Sequence, residues 1–368
     1  MQNYTYDKRI VLTLDAGGTN FVFSAIQSGK PIVDGVSKPS NAQNLDKCLA
    51  TLVEGFEEIK SSLNAEPEAI SFAFPGPADY PNGIIGDLPN FPSFRGGVAL
   101  GSFLEEKFKV PVFINNDGNL FAYGEALAGM LPNINNDLKS AGNSKQFSNL
   151  IGLTLGTGFG AGLVFNKQLL LGDNSIAAEV WLLSNRIKPE SYAEEIVSAK
   201  SLVAEYKKQA SSNEPTFTPA DIYNIAKGIK PGNQQAAHNA FELFGRGIGD
   251  AVANLITLFD GIVVIGGGIT GAKEFYMPAL LAELNGNFIG ISGKQTPRLV
   301  QKAFNYSDEK SRLEFLKPVS TKISVPGSSK KVDYDAIPRV AIAHSEMGAS
   351  KAIQLGAYIF ALNKLAQI

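Results

Sequence analysis

Leu12-Thr13-Leu14-Asp15-Ala16-Gly17-Gly18-Thr19 has a counterpart later in the chain, Leu153-Thr154-Leu155-Gly156-Thr157-Gly158-Phe159-Gly160. Each copy is a β-rich apolar run that breaks into glycines and then resumes, which reads as strand, tight turn, strand. Two copies in one chain suggest a duplicated unit. Two unrelated glycine hairpins would look the same, because the similarity fades beyond these segments. Asp15 aligns with Gly156, so the acid belongs to the first copy alone.

Outward from these turns, short β-rich runs alternate with helical periodicity, the pattern of an α/β fold. Strands are expected over Arg9 to Leu14, Phe21 to Ile26 and Pro31 to Ser37, the last completing a meander. Leu45, Leu49, Leu52, Val53, Phe56 and Ile59 recur near 3.6 residues, so Asn44 to Leu63 predicts an amphipathic helix. Ala69 to Phe74 is a buried strand ended by Pro75-Gly76-Pro77, and Gly97 to Phe108 a helix. Val110 to Ile114 is a strand, followed by a helix over Gly118 to Ala128 that Asp117 is placed to cap. The polar segment Pro132 to Ser148 reads as a surface loop at a lobe boundary. Helices follow over Tyr192 to Lys207, Pro219 to Lys227 and Asn233 to Phe259. Strand Ile262 to Ile265 runs into Gly266-Gly267-Gly268, and Phe304 to Asp335 reads as an insertion or extended loop. Strand Arg339 to His344 and a closing helix, Gly348 to Leu365, complete the chain. The lobes are expected at 1–131 and 149–368, with the closing helix packing back on the first.

Composition excludes several classes. The 368 residues carry 33 Lys plus Arg against 35 Asp plus Glu, a net charge of -2, so no basic surface invites nucleic acid or an anionic membrane. One cysteine, Cys48, excludes an intrachain disulfide and any zinc site needing two thiolates, and it fits a reducing compartment. No signal-peptide core and no run of roughly 18 apolar residues is present. A cytoplasmic protein without nucleic-acid or membrane partners is expected.

Glycine turns at Asp15 to Asn20, Gly156 to Gly162 and Gly266 to Gly271 each follow a β-rich run. Turns of this kind present several backbone N–H groups to an anion, so three together suggest a polyphosphate ligand, although any one alone is equally a structural hairpin. Gly266-x-Gly268-x-x-Gly271 matches a dinucleotide fingerprint, but the next strand candidate, Asn287 to Ile291, ends without an acid and the motif lies late. No Walker motif is present. Asn115-Asn116-Asp117 places a carboxylate where a strand ends and a helix begins, as a cleft acid or as a helix cap. The two histidines, His238 and His344, sit in structural contexts, so general-base chemistry falls on a carboxylate.

Asp15-Ala16-Gly17-Gly18-Thr19, Phe74-Pro75-Gly76-Pro77, Leu88-Pro89-Asn90-Phe91, Asn115-Asn116-Asp117-Gly118-Asn119 with Gly124-Glu125, Leu155 to Gly162, and Ile265-Gly266-Gly267-Gly268 follow one another from residue 9 to about 360. In order and spacing the set resembles the ROK-family sugar kinases. The resemblance implies an actin-like, ribonuclease H-like two-lobed ATPase fold, with sugar and MgATP in the cleft between a sugar-side first lobe and a nucleotide-side second lobe. Asp15 would position Mg2+ through water, while Gly17, Gly18, Thr19, Gly156, Thr157, Gly158 and Gly160 would surround phosphates. Gly266, Gly267 and Gly268 would lie by the adenosine. Gly76, Asn90, Asn116 and Asp117 would form the sugar site, with Asp117 also the base that takes the proton of the attacking hydroxyl. Relatives often dimerise, which makes a homodimer an expectation too.

The family's Glu-x-Gly-His element is altered here to Glu179-Val180-Trp181-Leu182, and its cysteine cluster is absent, so no zinc is expected. Glu179 is kept, and Glu194, four residues before Ser198, matches the next sugar-contacting Glu. Trp181 and Leu182 read either as an altered sugar wall or as core residues of a rebuilt loop. The expected activity is phosphorylation of a hexose, most simply glucose at the 6-hydroxyl, with N-acetylglucosamine, N-acetylmannosamine and fructose as alternatives. A catalytically silent sugar-binding protein is a rival. A sugar-responsive repressor is another, disfavoured because no helix-turn-helix segment precedes Asp15.

Overall fold

Val11, Leu12, Thr13 and Leu14 are all buried, the mark of a strand covered on both faces. In the computed structural model, which describes residues 4–17, 19–76, 78–86, 91–211, 216–318 and 321–368, they form strand Val11–Ala16 at the centre of a six-stranded sheet. That strand pairs antiparallel with Asn20–Gln27 and parallel with Ala69–Ala73, which pairs parallel with Val112–Asn115. The expected third strand is split into Lys30–Pro31 and Val36–Pro39, both on Asn20–Gln27. Pro31 sits opposite Ile26, and the Ile32 N–H still donates to the Ala25 carbonyl at 3.0 Å, so the proline costs the ladder no bond before the chain turns away.

The chain forms two compact units, Met1–Gly129 with Gly162–Ala178 and Met347–Ile368, and Met130–Ala161 with Glu179–Glu346. The second unit starts with helix Met130–Ser140, so the segment Pro132 to Ser148, expected as a surface loop, is helical as far as Ser140. Met130, Leu131, Ile134 and Leu138 are buried along one face of it, and burial of that stripe outweighs the weak helix propensity of its asparagines.

In the first unit, helix Leu45–Ser61 lays Leu52, Phe56 and Ile59 on the sheet. The core there is aromatic: Phe56 meets Phe23 edge-on at 5.1 Å and Phe108 at 5.8 Å, and Phe74 lies 4.8 Å from Phe91. Each such ring withdraws enough apolar surface to contribute about 2–3 kcal/mol. Helix Ala349–Leu365 packs on helix Asp117–Ala128, and the Asn363 amide donates to the Tyr123 hydroxyl at 2.6 Å.

The second unit carries parallel strands in the order Leu150–Leu155, Ile262–Gly266, Arg339–His344, Lys302–Asn305. Leu150–Leu155 is followed by its neighbour in the same sheet, Phe159–Phe165, giving the second strand-turn-strand copy. Helix Gln234–Phe259 matches its expected span closely. Asn287–Ile289 stands outside the main sheet in an exposed hairpin with Gln295–Pro297, so Ile262–Gly266 does not lead into a dinucleotide-type unit. The stretch read as an insertion holds helix Glu309–Leu316 and a hairpin of Thr321–Ser324 with Lys331–Tyr334.

Candidate active site

Parallel pairing sets Asp15 beside Ala73, and Ala73 beside Asn115. The carboxyl ends of three strands therefore bring Asp15, the Phe74-Pro75-Gly76 bend and Asn116-Asp117 to one edge, where open α/β sheets bind ligands. The Phe74 N–H donates to the Asn115 carbonyl at 2.9 Å and holds the bend in line with the next strand. Gly76 lies against the Asn116 amide nitrogen.

Asn116, not Asp117, caps the helix. Its backbone is still extended (φ -71°, ψ 148°), and its Oδ1 accepts the N–H of Gly118 at 2.7 Å and that of Asn119 at 3.4 Å. A cap needs that conformation, whereas Asp117 is already the first helical residue. The capping role thus falls to its neighbour, and the Asn116 Nδ2 group remains as a donor.

Burial raises the Asp117 pKa above the ordinary carboxylate value, the Gly118 N–H opposes this, and the Asp15 charge adds to the rise. The residue as a whole is nonetheless exposed, so the carboxylate is screened by neighbouring atoms without being sealed from solvent. A carboxylate that is desolvated yet reachable is a stronger proton acceptor than one in water. Asp15 is half-buried; burial raises its pKa and a hydrogen bond from the Ser350 side chain lowers it. Ser350 stands in the first turn of the C-terminal helix, some 330 residues from Asp15 along the chain, and no local motif signals the contact. Gly17 and Thr19 are exposed in the turn that follows Asp15, while Gly18 and Asn90 lie outside the described residues.

In the second unit the Gly156 to Gly160 turn and the Gly266 to Gly268 turn are brought together. Gly266 pairs with Thr154, and Gly267 (φ 102°) lies so close to the Leu155 backbone that only glycine fits. The first turn is internally braced. Gly156 N–H donates to the Gly158 carbonyl at 3.1 Å, and Ala199 N–H, opening helix Ala199–Ala210, donates to the Gly156 carbonyl at 2.9 Å. Glu194 Oε2 accepts the Phe159 N–H at 2.8 Å and occupies the space where a side chain on Gly158 would stand. Two of the turn's N–H groups are thus consumed, and those of Thr157 and Gly158 take no described protein partner. Glu194, for which the resemblance implies a sugar contact, thus braces the glycine turn as well.

Glu179 precedes the short 3₁₀ helix Val180–Leu182, and its Oε2 accepts the Trp181 indole N–H. Leu182 is 56% exposed, so it is not a core residue, and Trp181 is half-buried, its ring edge-on to Tyr192 at 5.8 Å. His344 is buried between Tyr276 (2.8 Å) and Ser307 (3.1 Å), and burial lowers its pKa to about 4, a neutral structural imidazole. Among the described residues no group of three or more His, Cys, Asp or Glu side chains is arranged to hold a metal, and no helix is long and apolar enough to cross a membrane.

The ROK family model matches residues 11–303. A crystal structure of glucokinase from Parabacteroides distasonis is 53% identical, with 99% of each chain covered and a TM-score of 0.89. Glucokinase of Thermotoga maritima is 28% identical over 280 residues, covering 72% of this chain and 83% of the relative. A ROK family glucokinase from Streptomyces griseus, solved with glucose and AMPPNP, shares the fold at 19% identity and a TM-score of 0.60, with 95% of this chain and 98% of that one covered.

Proposed function

The chain belongs to the ROK family and has its actin-like α/β fold, and from that premise we propose that it is an ATP-dependent hexose kinase acting on glucose, with Asp117 as general base. One observation carries the reading. At the strand ends of the first unit, parallel pairing brings a solvent-exposed carboxylate, Asp117, to the same sheet edge as a second carboxylate, Asp15. Phosphoryl transfer asks little covalent chemistry of a protein: it needs the nucleophile deprotonated as it attacks and the phosphate charge neutralised. Asp117 accepts the proton of the attacking hydroxyl as its oxygen bonds to the γ-phosphorus and the bond to ADP breaks. Asn116 Nδ2, freed by the use of Oδ1 as cap, donates to a sugar hydroxyl.

The residues present fit MgATP. Asp15 is half-buried with its side chain bonded to Ser350, which leaves carboxylate lone pairs for a hydrated divalent cation. Bound there together with ATP, such a cation would neutralise phosphate charge. The unpartnered N–H groups of Thr157 and Gly158 suit phosphate oxygens, and the Gly266 to Gly268 turn beside them suits the nucleoside.

The 53% identity to a glucokinase over nearly the whole chain favours glucose over the N-acetylhexosamines and fructose. The test is ADP release with MgATP across glucose, mannose, fructose, N-acetylglucosamine and N-acetylmannosamine. Glucose should give the highest kcat/KM; a higher value for an N-acetylated sugar would overturn the glucose assignment, and release independent of any sugar would overturn the kinase reading.

A further inference from the structure

The loop after Glu179 departs from the family pattern, and the structure shows what stands in its place. Residues 183–193 close on themselves through Asn185, which is buried at 5% exposure. Its Oδ1 accepts the N–H groups of Ile187 (3.0 Å) and Lys188 (2.9 Å), its Nδ2 donates to the Tyr192 carbonyl (3.3 Å), and its N–H donates to the Ser191 carbonyl (3.1 Å). Ala193 N–H donates to the Leu183 carbonyl at 2.9 Å and seals the base. One amide side chain thus ties both arms of the loop. The closure sets Tyr192 edge-on to Trp181 and so fixes the indole.

The fixed indole donates to Glu179. An indole N–H is a donor only, with no rotor and no titration near neutral pH, so it can hold one carboxylate oxygen and leave the other to a ligand. A free glutamate on the surface must instead give up rotamer entropy when it binds.

We propose that Trp181 is a positioning residue: it holds Glu179 Oε2 so that the carboxylate is pre-set to bind a hexose hydroxyl, with the Asn185-tied loop and Tyr192 as the brace. The proposal rests on the hexose-kinase reading. A charge-assisted hydrogen bond of this kind affects sugar affinity by about tenfold.

The test is a double-mutant cycle on glucose binding by calorimetry without nucleotide, paired with steady-state kinetics. W181F should weaken glucose binding about tenfold and raise the glucose KM equally, with kcat at saturating glucose and the KM for MgATP within about twofold of wild type. In an E179A background W181F should cost nothing further, because Trp181 acts through Glu179. W181H, which restores a ring N–H, should recover part of the loss. Losses that add in the cycle, or an unchanged W181F, would overturn the proposal. The chain's single tryptophan separates this from failure of the kinase reading. Indole emission that is the same in wild type and E179A refutes the contact, whereas emission that differs in a wild type binding no hexose refutes the kinase reading and the ligand assigned to Glu179.

Discussion

Gly158→Ala probes the brace between Glu194 and the glycine turn. Gly158 does not have a positive φ, so alanine suits its backbone and the effect comes from the added methyl alone. That methyl would stand 2.6 Å from Glu194 Oε2, closer than side chains tolerate, and the glutamate is the side that can move. Moving it breaks the 2.8 Å bond from Phe159 N–H. A hydrogen bond to a carboxylate contributes about 1.5–3 kcal/mol, and the half exposure of Glu194 argues for the lower end, about 1.5–2 kcal/mol. Expressed in the transition state, that is a loss of roughly 10- to 30-fold in kcat/KM. Coupled ADP-release kinetics over a matrix of MgATP and glucose concentrations would measure it, with Glu194→Gln, which keeps an acceptor oxygen, losing less. Wild-type kcat/KM for both substrates in Gly158→Ala would refute the idea that Glu194 holds the turn.

No heavy atom lies within 4 Å of a methyl placed on Gly156, so Gly156→Ala should leave the thermal midpoint unchanged or slightly raised while increasing the KM for MgATP several-fold; an unchanged KM would mean that this space does not receive phosphate. The raised pKa of Asp117 means the native state holds that proton more tightly than the unfolded chain, so stability falls as pH rises through the window from about 3.9 to the native value. Asp117→Asn should therefore melt above wild type at pH 7.5, with the gap narrowing on acidification, and calorimetric scans giving equal or lower midpoints would contradict this. His344 works in the opposite sense. Its pKa drops from 6.5 to about 4, so acidification across that window protonates the unfolded chain first and removes about 3 kcal/mol, a limb that urea titrations should show and that His344→Gln should lack.

What the sequence disclosed is what short-range periodicity and turn chemistry carry. The two glycine turns, helix Gln234–Phe259 and strand Arg339–His344 could be read because each states its pattern within a few residues. Asn116 and Asp117 are both good caps, and only the backbone angle, set by where strand Val112–Asn115 ends, decides between them. Helix Met130–Ser140 was hidden by its asparagines, since the burial of Leu131, Ile134 and Leu138 is a tertiary fact. Glu194 on Phe159 spans 35 residues and Ser350 on Asp15 far more, and chain proximity signals neither. Trp181 lies two residues from Glu179, but the indole contact depends on the loop that Asn185 closes.

Parallel measurement of the ADP and glucose 6-phosphate formed from glucose and MgATP by wild type and Asp117→Asn shows whether Asp117 is the base of a glucose phosphorylation. The wild type should form equal amounts of both products, and the variant should be about 10²- to 10⁴-fold slower, with the glucose KM changed far less. ADP without glucose 6-phosphate, or a variant that turns over at the wild-type rate, would contradict this.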